Sequence, residues 1–318
     1  MKKHRVGVIG TGSMGRSHIR VLAGLEEFDV VAVCDSDASK AISGPWLSMY
    51  DYREMKNQEL DYCVVATPTI SHEQICLDLI ESGHSILVEK PLSYSVESAL
   101  RICHAQAANN SNMAVGMIER FNGTSQEAKR IIASGLAGKL LRVATRRVGP
   151  APRRETGVGV VLDLCTHDLD LVTWITDDRV ATIAAQLISG VKTKHDDFAL
   201  MTGSMASGTL VQIEASWLSP IKERSIELLF ENGLAQLDLL TGEVRFIEQI
   251  DAEVGWPAGL EMLGSANFRS ETSRVKTVEP LVAEHLALGT AVQLGDWSQL
   301  PSTAEAVMVL EVIESIRR

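Results

Sequence analysis

Two ionisable residues interrupt an apolar stretch in the middle of the chain. Asp163 and His167 lie four residues apart in the segment VVLDLCTHDLD, residues 160–170, whose other members are mostly apolar. Residues at this spacing share one face of a helix. A histidine titrates near neutral pH and can accept a proton from an alcohol, and a neighbouring carboxylate can orient its ring. The pattern indicates either a catalytic pair or a buried structural pair, and the segment alone does not decide between them.

A glycine pattern near the start of the chain predicts a dinucleotide site. Residues 10–15 read GTGSMG, after an apolar run typical of a strand and before a segment with helical spacing. In the dinucleotide fingerprint the three glycines make a tight turn, admit the pyrophosphate and allow close helix–strand packing, while the helix N-terminus attracts phosphate. The predicted cofactor-binding residues of this turn are Gly10, Thr11, Gly12, Ser13, Met14 and Gly15.

An acidic residue completes the fingerprint. Asp35 ends the second apolar run, FDVVAVCD, at the place where a carboxylate binds the adenosine ribose hydroxyls. The same carboxylate would repel a 2′-phosphate, and the residues that follow it are Ser36 and Asp37 rather than an arginine. The sequence therefore favours NAD over NADP as the cofactor.

Further polar residues stand where predicted strands end. Strands and helices alternate to about residue 118, which predicts a doubly wound parallel sheet. Such sheets bind ligands beyond the carboxyl ends of their strands. We therefore expect Thr67, Pro68, Glu89 and Lys90 to border the nicotinamide. His72 opens the next predicted helix, and we assign it to the cofactor side rather than to the chemistry.

The pattern changes after residue 120. Several alternating runs between residues 180 and 248 are typical of antiparallel strands, and two helices are predicted near 280–294 and 303–317. We expect a Rossmann domain over residues 1–120 and an α/β domain over residues 121–318. The second domain would contain a large, open, mainly antiparallel sheet, and the C-terminal helices are candidates to pack back on the Rossmann domain. Residues 251–271 have no readable pattern.

Composition excludes several classes of function. The net charge of −11 argues against a general affinity for nucleic acid or anionic membranes. The five cysteines have neither zinc spacing nor a CxxC motif, so we expect no metal site and a reducing compartment. The sequence contains neither a signal-peptide pattern nor an apolar run of about eighteen residues, which favours a cytoplasmic protein.

Four segments in order resemble the glucose–fructose oxidoreductase/inositol dehydrogenase (Gfo/Idh/MocA) family. They are VGVIGTGSMGRSH with Asp35, then ATPTISHEQI, VEKPL and GVVLDLCTHDLD. The resemblance implies a Rossmann domain followed by an open-sheet α/β domain. In this family the sheet face commonly packs against another subunit, which implies a homodimer or homotetramer.

The resemblance also implies roles for the site residues. It places the helix face of Asp163 and His167 opposite Lys90 across the nicotinamide, which favours catalysis over a structural pair. His167 would accept the proton of a sugar hydroxyl, Lys90 would hydrogen-bond the same oxygen, and Asp163 would orient the histidine or bind an adjacent hydroxyl. The roles of Lys90 and His167 could be exchanged. Glu89 would support the cofactor or fix Lys90, and Asp168 would either support the site or be an exposed or capping acid.

The Lys90–Pro91 bond is expected to be cis, as the family resemblance suggests. Arg120 and Asn122 resemble a segment that lines the substrate side, with a surface turn as an equal alternative.

Four arginines point to an anionic substrate. Arg146, Arg147, Arg153 and Arg154 lie close together just before the predicted catalytic helix, and guanidinium groups match phosphate oxygens. This region also resembles UDP-N-acetylglucosamine 3-dehydrogenases, which implies oxidation of the C3 hydroxyl to a ketone that an aminotransferase would then consume. The alternative substrate is a free polyol such as inositol. Alternatives of other classes are a redox-neutral NAD-dependent glycosidase and a dinucleotide sensor without catalysis.

Overall fold

The chain forms two compact units. The computed structural model describes residues 3–152, 157–249, 268–276 and 278–317. The first unit comprises Met1–Phe121 together with Glu279–Arg318, and the second comprises Asn122–Val278. The first unit is therefore discontinuous in sequence, and the second is inserted into it.

The elements are numbered in chain order. The described strands are β1 (His4–Ile9), β2 (Phe28–Cys34), β3 (Leu47–Met49), β4 (Tyr62–Val65), β5 (Ile86–Glu89), β6 (Met113–Gly116), β7 (Leu140–Pro150), β8 (Val180–Ser189), β9 (Asp196–Met205), β10 (Leu210–Ser216), β11 (Leu218–Phe230), β12 (Gly233–Asp238), β13 (Glu243–Gln249) and β14 (Phe268–Arg274). The described α-helices are α1 (Ser13–Ala23), α2 (His72–Glu81), α3 (Val96–Asn109), α4 (Gly123–Ser134), α5 (Thr166–Thr176), α6 (Pro280–Leu294) and α7 (Thr303–Ser315). None of these described helices is both long and apolar enough to cross a bilayer.

The first unit contains a parallel sheet with strand order β3-β2-β1-β4-β5-β6. The order reverses direction between β1 and β4, and ligands bind beyond the carboxyl ends of the strands at such a reversal. The strand interiors are almost wholly buried, as expected for a sheet covered on both faces. The predicted Rossmann fold is confirmed.

Two consecutive crossovers of this sheet lack an α-helix. Between β2 and β3 the chain makes only a 3-10 turn, Ala38–Lys40, in which the Ser39 N–H donates to the Asp37 carboxylate, and between β3 and β4 it makes only the 3-10 turn Tyr52–Asn57. The edge of the sheet at β3 is therefore bordered by short turns rather than by α-helices.

The C-terminal helices complete the core of the first unit. Leu288 and Ala291 of α6 belong to the same buried cluster as Val8, Leu22 and Phe28. Helix α7 packs along α3, and the Val115 N–H of β6 donates to the carbonyl oxygen of Pro301, just before α7. Burial of these apolar side chains removes them from water and stabilises the unit.

The second unit contains an eight-stranded sheet with order β14-β13-β12-β11-β7-β10-β9-β8. Strands β7 and β10 are parallel, and the other neighbouring pairs are antiparallel. Helices α4 and α5 pack on this sheet. The predicted mainly antiparallel sheet is confirmed. The short strand β3 and the edge strand β14 were not predicted, because neither carries an alternating apolar pattern.

Candidate active site

The glycine turn leaves an open cradle at the start of α1. Gly10 has a positive φ of 93°, and a Cβ there would lie 2.6 Å from the Ala66 carbonyl oxygen. A Cβ on Gly15 would lie 1.8 Å from the Gly10 oxygen, so helix and strand approach too closely for a side chain. A Cβ on Gly12 would instead meet nothing within 4 Å. Gly12 precedes α1 without a side-chain cap, which leaves N–H groups and open space for a pyrophosphate.

Thr11 and Asp35 are hydrogen-bonded to each other next to the glycine turn. The Thr11 N–H and hydroxyl lie 2.8 and 2.9 Å from Asp35 Oδ2, and the Asp37 N–H donates to Oδ1 at 3.0 Å. Burial would raise the pKa of Asp35, but these hydrogen bonds outweigh it and lower the pKa. Asp35 is therefore an ionised carboxylate at the end of β2, which fits the ribose hydroxyls of NAD.

Residues at the end of β4 are tied to the segment that follows β5. His72 begins α2 and is buried, and its ring nitrogens lie 3.0 Å from the Thr67 oxygen and 3.1 Å from the Pro91 oxygen. Burial lowers the pKa of His72, so the ring is neutral at neutral pH. Pro68 precedes a 3-10 turn, in which the Ser71 hydroxyl donates to Thr67 Oγ1. His72 thus lies between the end of β4 and the segment after β5, and its neutral ring can donate to one of the two carbonyl oxygens.

Glu89 ends β5 and is almost fully buried. Its Oε1 lies 2.9 Å from His18 Nε2, and its Oε2 accepts the Lys90 N–H at 3.2 Å. The Lys90–Pro91 bond is cis, as the resemblance implied. Lys90 therefore follows directly from the carboxyl end of a central strand in the first unit, where ligands of such sheets bind.

Asp163 and His167 are the accessible residues of an otherwise buried segment in the second unit. Both are partly exposed, whereas every other residue of 159–172 is buried. Asp163 lies in a π-helical turn, Val161–Cys165, that leads into α5, and His167 lies in the first turn of α5. The expected helix is therefore not regular throughout, and π turns inside helices occur frequently at functional sites.

A carboxylate missed by the sequence analysis supports this turn. Asp196 at the start of β9 accepts the Val161 N–H at 2.7 Å. A Cβ on Gly159 would lie 2.3 Å from the Asp196 carboxyl carbon, so the glycine before the turn makes room for this cap. The repeated glycines of GVGVV were the signal that could have indicated the close approach.

Two of the four clustered arginines are paired with carboxylates. Arg147 Nε donates to Asp168 Oδ2 at 2.9 Å, and both side chains are buried. Arg146 on the same strand contacts Glu214 at 3.1 Å and also Glu223. Asp168 is thus neither an exposed nor a capping acid. These pairs neutralise half of the basic cluster, and the other half, Arg153 and Arg154, lies outside the described residues.

Arg120 and Asn122 are buried, so the surface-turn alternative is wrong. Arg120 Nη1 donates to Glu305 Oε1 at 2.7 Å within the first unit. Asn122 caps α4, because its Oδ1 accepts the Thr124 N–H, and its Nδ2 donates to the Leu239 oxygen. Both residues have structural contacts, and their role toward a substrate stays a prediction.

Comparison with known families agrees with this arrangement. Residues 4–117 match the oxidoreductase family with an NAD-binding Rossmann fold, and residues 125–236 match the Gfo/Idh/MocA C-terminal domain. The chain belongs to the Gfo/Idh/MocA family. Its first unit thus contains an NAD-binding Rossmann domain, and the glycine turn and Asp35 are the residues predicted to contact that cofactor.

Individual Gfo/Idh/MocA relatives act on more than one kind of substrate. The chain is 30% identical over 222 residues to inositol 2-dehydrogenase 4 of Saccharopolyspora erythraea, which covers 66% of each chain. It is 27% identical over 258 residues to inositol 2-dehydrogenase of Corynebacterium glutamicum, which covers 77% of each chain. The solved UDP-N-acetylglucosamine 3-dehydrogenase of Acidithiobacillus ferrooxidans has a TM-score of 0.84 at 22% identity, over 100% of this chain and 97% of that chain. This last likeness shows the shared fold.

Proposed function

We propose that the chain is an NAD-dependent dehydrogenase that oxidises a secondary alcohol of a cyclic polyol or sugar. The observation that carries this proposal is the accessibility of Asp163 and His167 on a segment that is otherwise buried. An acid and an imidazole kept accessible at helical spacing are suited to proton transfer from a hydroxyl. NAD, when bound, supplies the hydride acceptor.

The chain's own residues would handle the proton and the developing charge. His167 accepts the hydroxyl proton, and Lys90 donates a hydrogen bond to the same oxygen and stabilises its alkoxide character. The reverse assignment of these two roles is the alternative. Asp163 either orients the His167 ring or accepts a hydrogen bond from an adjacent hydroxyl, as a polyol with neighbouring hydroxyls would offer.

An uncharged cyclic polyol such as myo-inositol is the first candidate substrate. The pairing of Arg146 with Glu214 and Glu223, and of Arg147 with Asp168, leaves these two guanidinium groups already neutralised. A phosphate would have to compete with carboxylates at short distance. The sequence relatives named inositol 2-dehydrogenase support the same choice.

UDP-N-acetylglucosamine is the second candidate. Arg153 and Arg154 are adjacent in the sequence before the catalytic helix and could pair with a diphosphate. Oxidation would then convert the C3 hydroxyl to a ketone, and an aminotransferase would consume the product. Replacing both arginines with alanine should raise KM for this nucleotide sugar far more than KM for inositol if the second candidate is right.

The deciding experiment offers NAD with each candidate to the purified protein. NADH formation is followed by fluorescence, and the product is identified by mass spectrometry as two hydrogens lighter than the substrate. NADH with inositol alone supports the first candidate, and NADH with the nucleotide sugar supports the second. Glycoside cleavage without net NADH would refute the dehydrogenase in favour of the glycosidase. Bound NAD without turnover of any sugar or polyol would instead favour a sensor.

Two substitutions test the assigned residues. Lys90→Met and His167→Asn should each retain NADH binding and lose turnover by about a hundredfold or more, because the glycine cradle is untouched. His104→Asn, at an exposed position of α3, is the control and should keep full activity. Near-normal turnover in both site variants would contradict the assignment.

We also propose that the open sheet of the second unit forms a homodimer or homotetramer contact. Its strands expose large apolar side chains, namely Leu141, Leu187, Ile188, Leu210 and Leu229. Apolar surface of this kind is stabilised when a partner covers it. Light scattering of the purified protein should give a multiple of the chain mass, and a monomer at micromolar concentration would refute the proposal.

A further inference from the structure

A chain of hydrogen bonds runs through the interior of the first unit. The Tyr62 hydroxyl lies 2.9 Å from His285 Nδ1, His285 Nε2 lies 2.9 Å from His18 Nδ1, and His18 Nε2 lies 2.9 Å from Glu89 Oε1. Tyr62, His18 and His285 are fully buried, and Glu89 is nearly so. Four polar side chains in an apolar core are costly unless each is hydrogen-bonded, and here they bond one another.

Four separate helices and strands supply the residues of this chain of hydrogen bonds. Tyr62 lies on β4, His285 on α6, His18 on α1 and Glu89 on β5. Helix α1 is the helix that begins at the glycine cradle, and Glu89 Oε2 accepts the N–H of Lys90. The hydrogen bonds therefore connect helix α6 to the backbone that carries the proposed catalytic lysine.

The direction of the hydrogen bonds follows from the Tyr62 proton. Burial raises the pKa of Tyr62 well above 10, and burial lowers the pKa of His285 well below 6.5, so both groups are neutral at neutral pH. If His285 Nδ1 carried the proton, the Tyr62 hydrogen would have no acceptor among the described residues. An unsatisfied buried donor is costly. Tyr62 therefore donates to His285, His285 donates to His18, and His18 donates to Glu89.

A second buried acid lies next to His285 in the sequence. Glu284 precedes His285 on α6 and is buried, with no hydrogen-bond partner for either carboxyl oxygen among the described residues. Burial raises the pKa of Glu284 well above 4.5, and the negative charge of Glu89 raises it further. Glu284 is thus a neutral acid at neutral pH.

We propose that Tyr62, His285 and His18 are positioning residues that hold the Glu89 side chain in one orientation and thereby fix the backbone of Lys90. The direction of these hydrogen bonds, which we call the proton arrangement, is inferred from contacts within the first unit alone. Only the effect of the arrangement on turnover rests on the proposed function. Each of the three residues acts through the next, and Glu89 transmits the constraint through its contact with the Lys90 N–H.

The proton arrangement can be measured without a substrate. Long-range proton–nitrogen NMR of histidine-labelled protein at neutral pH should show that Nε2 of both His18 and His285 carries a proton and that Nδ1 of both rings is a hydrogen-bond acceptor. His18→Gln and His285→Gln assign the two sets of signals. Tyr62→Phe should mix the His285 tautomers, because the donor that selects Nδ1 as acceptor is gone. A ring protonated at Nδ1, or a doubly protonated ring, at either position in the wild type would overturn the proposal.

The positioning role is measured by separating turnover from cofactor binding. His285→Phe breaks the chain and should lower turnover by about tenfold to a hundredfold, while the NADH dissociation constant stays within about threefold. His285→Gln keeps a donor toward His18 and should restore most of the rate. Leu288→Ala is the matched control, since Leu288 is equally buried three residues further along α6 but makes no side-chain hydrogen bond.

The outcomes separate this proposal from the proposed function. Equal losses of turnover in His285→Phe and Leu288→Ala would overturn the positioning role, because packing alone would explain them. If His285→Phe does not fold, Tyr62→Phe replaces it, since it removes one oxygen and keeps the ring. A wild-type protein inactive on every polyol and sugar would refute the proposed function, and the NMR result would still support or overturn the proton arrangement.

Discussion

Replacing Glu284 with glutamine tests whether the core of the first unit holds a neutral carboxylic acid. The side chain is 1% exposed, and its oxygens have no hydrogen-bond partner among the described residues. Burial, with a smaller contribution from Glu89, raises the pKa of Glu284 well above 4.5 in the folded protein. Glutamine has nearly the shape of the protonated acid but cannot ionise.

The magnitude follows from the difference in bound protons. Above its ordinary pKa of 4.5 the carboxyl ionises in the unfolded chain but stays protonated in the folded one. The unfolded state then binds fewer protons, so the free energy of unfolding falls by about 1.4 kcal/mol per pH unit until the native pKa is reached. Glu284→Gln cannot ionise, so its free energy of unfolding does not fall in this way. Raising the pH by two units within this window should therefore increase the stability of Glu284→Gln relative to wild type by about 3 kcal/mol.

Urea unfolding at a series of pH values, followed by circular dichroism, measures this difference. The stability advantage of Glu284→Gln should grow steadily with pH above 4.5. Glu81→Gln changes an exposed carboxyl at the end of α2 and serves as the control. A Glu284→Gln advantage that stays constant with pH, or shrinks as pH rises, would refute the reasoning.

Further substitutions test the cofactor cradle and the second unit. Gly12→Ala should fold normally but bind NADH at least about tenfold more weakly, because its methyl group would occupy the space left for the pyrophosphate. Fluorescence titration measures the NADH affinity, and an unchanged affinity would contradict the assignment of the pyrophosphate to this turn. Gly15→Ala should instead lower the melting temperature, because its methyl group would collide with the Gly10 oxygen. Arg147→Ala should cost about 3–5 kcal/mol in urea unfolding, because it leaves the buried Asp168 carboxylate without its ion pair, and a loss below about 1 kcal/mol would contradict this.

The sequence predicted those features of the fold and the site that are determined by residues close together in the chain. The glycine turn, the acid that ends β2 and the helix of Asp163 and His167 each have their signal within a few residues. Hydrophobic periodicity follows directly from which face of an element is buried. The parallel sheet and the larger mixed sheet were therefore predictable, while the π turn at Val161–Cys165 was not, because no periodic signal distinguishes it from an α-helix.

Contacts between distant residues could not be predicted in the same way. His18 and His285 are separated by 267 positions, and neither lies in a motif that indicates the other. Arg146 looked available for a phosphate until the folded sheet placed Glu214 and Glu223 beside it. A charge in a sequence has no visible partner, and only the tertiary structure shows whether it is already neutralised.

The discontinuity of the first unit has a consequence for how the protein is made. The chain leaves this unit at Phe121 and returns at Glu279, so a ribosome completes the inserted unit before it delivers α6 and α7. Until then Tyr62 and His18 lack His285, and the core lacks Leu288 and Ala291. Domains generally fold as units during synthesis. The nucleotide-binding unit begins first and finishes last, and it becomes fully formed only when the last helices have emerged.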